Sequence, residues 1–306
     1  MSFISILFAL LIEQAQPLKP VNVVHGRSRD WILWATRQLD TGEDSHAWLG
    51  WATAVLVPAA LSAAVHWALW LLVGWMAALA WNILVLYWTL GFRQFSHHFT
   101  GIRDALESGD EELARQLLAQ WMRVDATDLP RSEIVRQVLA HSVMSAHRRV
   151  FGVFAWYSLF SAIGMGPAGA VVYRLAEYFS LVVARPVRAT SPLMSRSLKD
   201  AALRAWGLID WIPARITALG FAFVGSFEEA IERWRKYELS RPGDNDGILL
   251  AATAGALNVQ LAPDDLQGAG PAAQTGHLRA LVGLVWRTVV MWMVILALLS
   301  LARLLG

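Results

Sequence analysis

Residues 47–92 read AWLGWATAVLVPAALSAAVHWALWLLVGWMAALAWNILVLYWTLGF, 46 residues without Asp, Glu, Lys or Arg. A helix needs about 20 apolar residues to cross a bilayer. The stretch therefore predicts two membrane helices joined by a turn, and His66, close to its middle, is the expected turn position. Tryptophans 48, 51, 67, 70, 75, 81 and 88 gather toward its ends and middle, as amphipathic indoles do at headgroup depth. Two buried helices of a soluble core would rarely run so long without a charge.

Composition points the same way. The chain has 306 residues, 56% hydrophobic and 16% charged, with a mean hydropathy of +0.42, which excludes disorder and strains a soluble reading. Its 26 basic and 24 acidic residues leave a net charge of +2, not the polycation that nucleic-acid binding asks for. With no cysteine, thiol catalysis, disulfides and cysteine-ligated zinc or iron–sulfur centres are excluded.

Two further uncharged stretches are expected in the membrane. Residues 150–173 are long enough to cross once, and the Gly164-Met165-Gly166-Pro167 patch predicts a kink covered by neighbouring helices. Residues 281–301, apolar but for Arg287 near one end, read as the last span. In 206–227 Asp210 and Arg215 interrupt an apolar run. Each would cost about 2.5–3.5 kcal/mol at the centre of a lone helix, so the segment is expected to be re-entrant around Pro213 or packed inside the bundle. The ten apolar residues Phe3–Ile12 have no basic residue before them and read as a short interfacial or packed helix, not a signal peptide.

The polar segments read as helices too. From Phe95 the pattern predicts a helical hairpin broken at Gly109-Asp110, with Leu113, Leu117, Leu118 and Trp121 on one apolar face. Another amphipathic helix follows Pro130, its apolar side carrying Ile134, Val135, Val138 and Leu139. Residues 242–247, Pro-Gly-Asp-Asn-Asp-Gly, could offer oxygens to Mg²⁺, yet read first as a surface turn. An Ala-rich helix over 248–261 and a flexible connection over 263–275 come next. Basic residues do not fix the orientation: segment 93–149 has eight Arg against eight acids, and 174–204 has six basic against two acidic residues. The resulting organisation is 1–92 with the first two spans, 93–149 as a polar helical subdomain, and 150–306 with the remaining membrane helices and a polar loop at 241–275. The fold class is an all-α polytopic membrane bundle of four or five hydrophobic helices.

Common catalytic motifs are missing: there is no phosphate-binding Gly-x-x-x-x-Gly-Lys-Ser/Thr loop, no His-Glu-x-x-His and no Gly-x-Ser-x-Gly. His97 with His98, and His141 with His147, lack the spacing of a helical metal pair. The charges near membrane depth, Arg174, Asp210 and Arg215, are the functional candidates, because such charges are costly to keep there.

These same residues carry a resemblance. Gly166-Pro167-Ala168-Gly169-Ala170 with Tyr173-Arg174 resembles the GPAGA-x-x-YR segment of the CobD/CbiB cobalamin-biosynthesis membrane proteins, and Pro213-Ala214-Arg215 with Thr217-Ala218 is similar to their PARLTA segment. Ala105-Leu106 through Gly109-Asp110 to Ala114-Arg115, and Ala254-Gly255-Ala256-Leu257, match in the same order. Together the matches cover roughly two thirds of the chain. The resemblance implies an inner-membrane enzyme, using ATP and Mg²⁺, that joins a corrinoid carboxylate to an aminopropanol-type phosphate by an amide bond. It assigns Arg174 and Arg215, with Gly166, Pro167 and Gly169, to an anionic ligand, and Asp125 and Asp210 to catalysis; the remaining partner is the lipid bilayer.

The chain departs from that pattern at two places. Asp125 matches the family's RDT segment, but Val124 and Ala126 flank it. Ser142–Arg149 stand where the family has ENTVDG, so the carboxylates expected there are missing. Glu13, Gly225 and Phe227-Glu228-Glu229-Ala230 look more like the AmpE branch of the superfamily, which implies the alternative of a non-catalytic membrane modulator of cell-wall sensing and β-lactamase induction.

Overall fold

The computed structural model describes residues 2–16, 23–40, 42–184, 194–261 and 270–305. Among the described residues there are α-helices and one π-helical turn, and no strand. The helices are α1 (Ser2–Ala15), α2 (Val23–Leu39), α3 (Asp44–Leu72), α4 (Trp75–Thr89), α5 (Phe92–Glu107), α6 (Glu111–Met122), α7 (Arg131–Ala146), α8 (Gly152–Ala162), α9 (Ala168–Ala184), α10 (Arg196–Val224), α11 (Phe227–Ser240), α12 (Asn245–Ala256) and α13 (Thr275–Leu305). The π-helical turn His147–Phe151 joins α7 to α8.

Three helices, α3, α10 and α13, are long and apolar enough to cross a membrane, and α1 and α4 are shorter apolar helices. Large apolar side chains stand exposed on α3 and α13, Leu72 at 84% and Val290 at 57%. Water would penalise such faces, and hydrocarbon would not. The chain is an all-α membrane bundle.

The turn within 47–92 is not at His66. α3 runs on to Leu72, and the chain reverses at Val73-Gly74, where Gly74 takes φ +112, a left-handed geometry open to glycine. His66 lies inside α3, 7% exposed. The 150–173 stretch departs further from expectation. It is not one kinked span: α8 ends at Ala162, the chain turns through 163–167, and α9 returns. α8 has 11 residues and follows the π-helical turn 147–151 without a break. Two glycines let the pair close: a Cβ on Gly152 would lie 2.1 Å from the Tyr173 ring, and one on Gly169 would lie 2.1 Å from the Trp156 carbonyl.

No turn forms at Pro213 either; α10 continues through it, as α3 continues through Pro58. A helical proline leaves the carbonyl four residues earlier without its N–H. In both helices an indole supplies the donor: Trp156 Nε1 bonds Ile209 O at 3.0 Å, and Trp31 Nε1 bonds Ala54 O at 3.0 Å.

The described chain divides into two compact units. The first comprises 1–91, 152–212 and 299–306, with a core in which Trp51, Ala54, Val55, Phe179, Leu198 and Ala202 meet. The second comprises 92–151 and 213–298, and buries Ile134, Val138, Leu139, Ile248 and Leu249. There Phe151 meets Phe221 edge to face, ring centres 5.5 Å apart.

In the second unit the expected hairpin is α5–α6. Gly109 takes φ +83, and Asp110 caps α6 by accepting from Leu113 N at 2.9 Å. Its inner face holds Ala114 and Leu118, while Leu113 is 43% exposed. α7 follows Pro130 as expected. The Ala-rich helix starts earlier and ends earlier than its expected 248–261: Asp244 caps α12 through Gly247 N at 3.0 Å, and the helix ends at Ala256. Residues 263–269 of the expected flexible connection, and the side chain of His97, lie outside the described residues.

Candidate functional site

The candidate residues fall into both units. Gly166, Pro167, Gly169, Arg174 and Asp210 belong to the first, and Asp125 and Arg215 to the second.

In the first unit, α9 begins at Ala168, directly after Pro167, whose fixed φ suits a helix entry. One turn on, Tyr173 and Arg174 point to different tasks. The Tyr173 hydroxyl donates to Asp210 Oδ1 at 2.8 Å. Both residues are buried, Asp210 at 1% exposure, so α10 brings a polar group inward and α9 meets it, as the cost of an isolated buried carboxyl requires. The Arg174 guanidinium pairs with Glu177 one turn later, with side chains 17% and 8% exposed. Removing one partner of such a buried pair costs about 3–5 kcal/mol, because the other charge is left behind.

Arg174 lines a cavity of about 400 Å³ that Arg27 of α2 also reaches. Trp31, Trp81, Trp88 and Tyr178 form its walls. Two of these indoles are held in place, Trp31 by Ala54 O and Trp81 by Ser62 O at 3.1 Å. An apolar, aromatic chamber with guanidinium groups at its lining can take an amphiphilic anion: the rings receive the apolar body, and arginine binds carboxylate or phosphate oxygens. Such an anion competes with Glu177 for Arg174. Of the glycines, Gly169 works as a contact between helices. Gly166 instead receives the His66 imidazole, which would lie 2.5 Å from its added Cβ.

In the second unit, Arg215 donates to Glu238 at 2.7 Å and to Asn245 at 3.1 Å. Glu238 also accepts from Trp234 at 2.9 Å, so the guanidinium ties α10 to α11 and α12. These two helices pack closely because Gly247 leaves room for the Tyr237 ring and Gly255 for the Glu229–Ala230 backbone. The Ala254–Leu257 match is thus a packing motif. Of the two aspartates in the acidic turn, Asp244 accepts from Tyr237 at 2.6 Å and Asp246 from Arg148 at 2.6 Å. Burial, then the Asp244 bond, raises the Tyr237 phenol above its ordinary 10.0.

Asp125 lies in a local turn, accepting from the Thr127 hydroxyl at 2.6 Å and amide at 3.1 Å. These two donors, the hydroxyl first, hold its carboxyl below the ordinary 3.8. In the stretch that replaces the acidic segment, His147 bonds Thr217 at 3.0 Å. Two further histidines of this unit meet an indole: His98 lies over Trp121, which meets His141 edge-on at 4.6 Å. Among the described residues no three His, Cys, Asp or Glu converge as a metal site would require.

Glu177, Arg27 and the partners of Arg215 were not apparent as site residues in the sequence. Glu177 could have been found, three positions after Arg174 on one helix face. Glu238 and Asn245 carry no such local signal.

An all-α membrane bundle that keeps arginines and a carboxyl among apolar helices is the class that fold and site define. The chain belongs to the CobD/Cbib protein family, whose pattern matches residues 3–185. It is 29% identical over 314 residues to the cobalamin biosynthesis protein CobD of Stutzerimonas stutzeri, covering 96% of each chain. The protein of that name in Chromobacterium violaceum is 28% identical over 181 residues, 58% of this chain and 54% of the relative. That of Leptospira interrogans is 29% identical over 196 residues, 61% of this chain and 58% of the relative. No solved structure matches the chain.

Proposed function

We propose that this protein acts in cobalamin biosynthesis as a multi-pass protein of the bacterial inner membrane, forming the amide bond between a corrinoid carboxylate and an aminopropanol-type phosphate with ATP and Mg²⁺. The observation that carries the reading is the match to a cobalamin biosynthesis protein along 96% of both chains. The Trp-walled cavity with Arg174 and Arg27 supports it, since it suits a ligand that is part apolar and part anionic. Arg174 and Arg215 would then hold phosphate or carboxylate oxygens, and Asp210 would orient Tyr173. Among the described residues no three His, Cys, Asp or Glu converge, so these side chains do not by themselves form a site for Mg²⁺.

A second reading, a non-catalytic AmpE-like modulator, is favoured by one observation: residues 142–149 contribute structural contacts, His147 to Thr217 and Arg148 to Asp246, where the family's acidic segment would be. Corrinoid complementation separates the two. A deletion strain should depend on supplied cobinamide and be rescued by the wild-type gene, with rescue lost for Arg174→Ala. A deletion strain with normal corrinoid production and an altered response to cell-wall stress would favour the modulator.

A further inference from the structure

From α9, Val171, Arg174, Leu175 and Tyr178 line the Trp-walled cavity, at the spacing of a single helix face. Glu177 lies off that face and is not part of the lining. It is nevertheless buried, 6% exposed, and its carboxylate accepts from Arg174 Nη1. Arg174 therefore reaches the cavity already neutralised by a neighbour on its own helix, while the rest of its N–H fork is left for a ligand. The other cation of the lining is Arg27 of α2. It is exposed and has no ion-pair partner among the described residues. No carboxylate lines the cavity among them.

These groups fix a charge balance. Two guanidiniums and one carboxylate leave a single positive charge at the cavity. Between apolar walls a charge is tolerated when an opposite one matches it nearby. One negative charge on a ligand completes the balance. A second has no match, and it faces the Glu177 carboxylate across a shared guanidinium, where little water screens the repulsion.

From this we infer that Glu177 is a specificity-determining residue, which sets the cavity to accept an apolar body bearing one negative charge and to reject a doubly charged one. The inference rests on the cavity being the anion site of the proposed reaction. It goes further by separating the two reactants: the carboxylate, singly charged, belongs in this cavity, and the phosphate ester, doubly charged at about pH 8, is bound elsewhere.

The test uses the full chain in phosphatidylcholine nanodiscs at about pH 8, followed by isothermal titration calorimetry with empty nanodiscs as the blank. Three probes share a naphthalene body and differ in charge: 2-naphthamide carries none, methyl 2-naphthyl phosphate one, and 2-naphthyl phosphate two. Wild type should bind the singly charged diester about tenfold or more tightly than the doubly charged monoester. In Glu177→Gln this preference should shrink about tenfold or reverse. A carboxylate that only braced the helix would alter all affinities together and leave their ratio alone. Arg27→Gln, at an exposed position, should weaken the diester about threefold or more and leave 2-naphthamide unchanged, which checks the charge balance even where Glu177→Gln misfolds. Equal wild-type affinity for diester and monoester, an unchanged ratio in folded Glu177→Gln, or wild-type diester binding by Arg27→Gln overturns the inference and leaves the cavity standing as an anion site. Failure of wild type to bind either charged probe removes the anion site itself, and the inference with it.

Discussion

The indole bonds to the proline-freed carbonyls allow a sharp test. In Trp156→Phe the Ile209 carbonyl, left without its backbone donor by Pro213, also loses the 3.0 Å bond from the indole. An unsatisfied polar group in a water-poor interior costs about 1–3 kcal/mol. The change also loses packing atoms, so the single variant does not isolate the bond. Pro213→Ala does. It restores an N–H at position 213 that can bond Ile209 O along the helix, and in that background Trp156→Phe should lose packing alone. The predicted coupling is therefore about 1–3 kcal/mol, measured as the difference in unfolding free energy across the four proteins by SDS titration in mixed micelles. The Trp31 and Pro58 pair, with its own 3.0 Å bond to Ala54 O, should behave alike. Equal penalties for Trp156→Phe with and without the proline would refute the reasoning.

Other expectations follow from the same geometry. Gly152→Ala places a Cβ 2.1 Å from the buried Tyr173 ring and should destabilise by about 2–5 kcal/mol from overpacking and a disturbed Tyr173–Asp210 bond. Gly207→Ala in α10, where an added Cβ meets nothing within 4 Å, should instead stabilise by about 0.5–1 kcal/mol; thermal unfolding reads both. Arg215→Ala should cost about 1–2 kcal/mol, since Glu238 is 39% exposed and water replaces part of the lost pairing, while Arg215→Lys should recover only part of it. The Arg136 bond holds Glu133 below its ordinary 4.5. The stability it adds is complete above that value and is lost as pH falls through the lower, folded-state value, so Glu133→Gln should be less stable than wild type at neutral pH, and the difference should shrink as pH falls below 4.5, flattening the acid limb.

The membrane character and the α5–α6 and α7 helices could be read from periodicity and the absence of charge, because both are local properties. The turn at Gly74 was missed although a glycine marked it; the tryptophans and a central histidine drew attention eight residues too early. At 163–167 the two glycines and proline announced a break, but whether a break is a kink or a reversal depends on what packs alongside. Here Gly152 and Gly169 permit a close return that only the partner helix reveals. The site divides similarly. Tyr173-Arg174, Asp210 and Arg215 were recognised by type and position. The contacts that give them roles, Asp210 with Tyr173 and Arg215 with Glu238 and Asn245, join distant segments and follow from tertiary packing.

The return of α9 along α8 also governs how the polypeptide is threaded. If this pair enters the bilayer it contributes an even number of passages, and the start of α8 and the end of α9 are then predicted to open toward one face of the lipid. Scoring 150–173 as a single traverse would invert the compartment assigned to each residue that comes after it. Cysteines introduced singly at the two ends of this excursion should accordingly react with the same impermeant reagent from the same side.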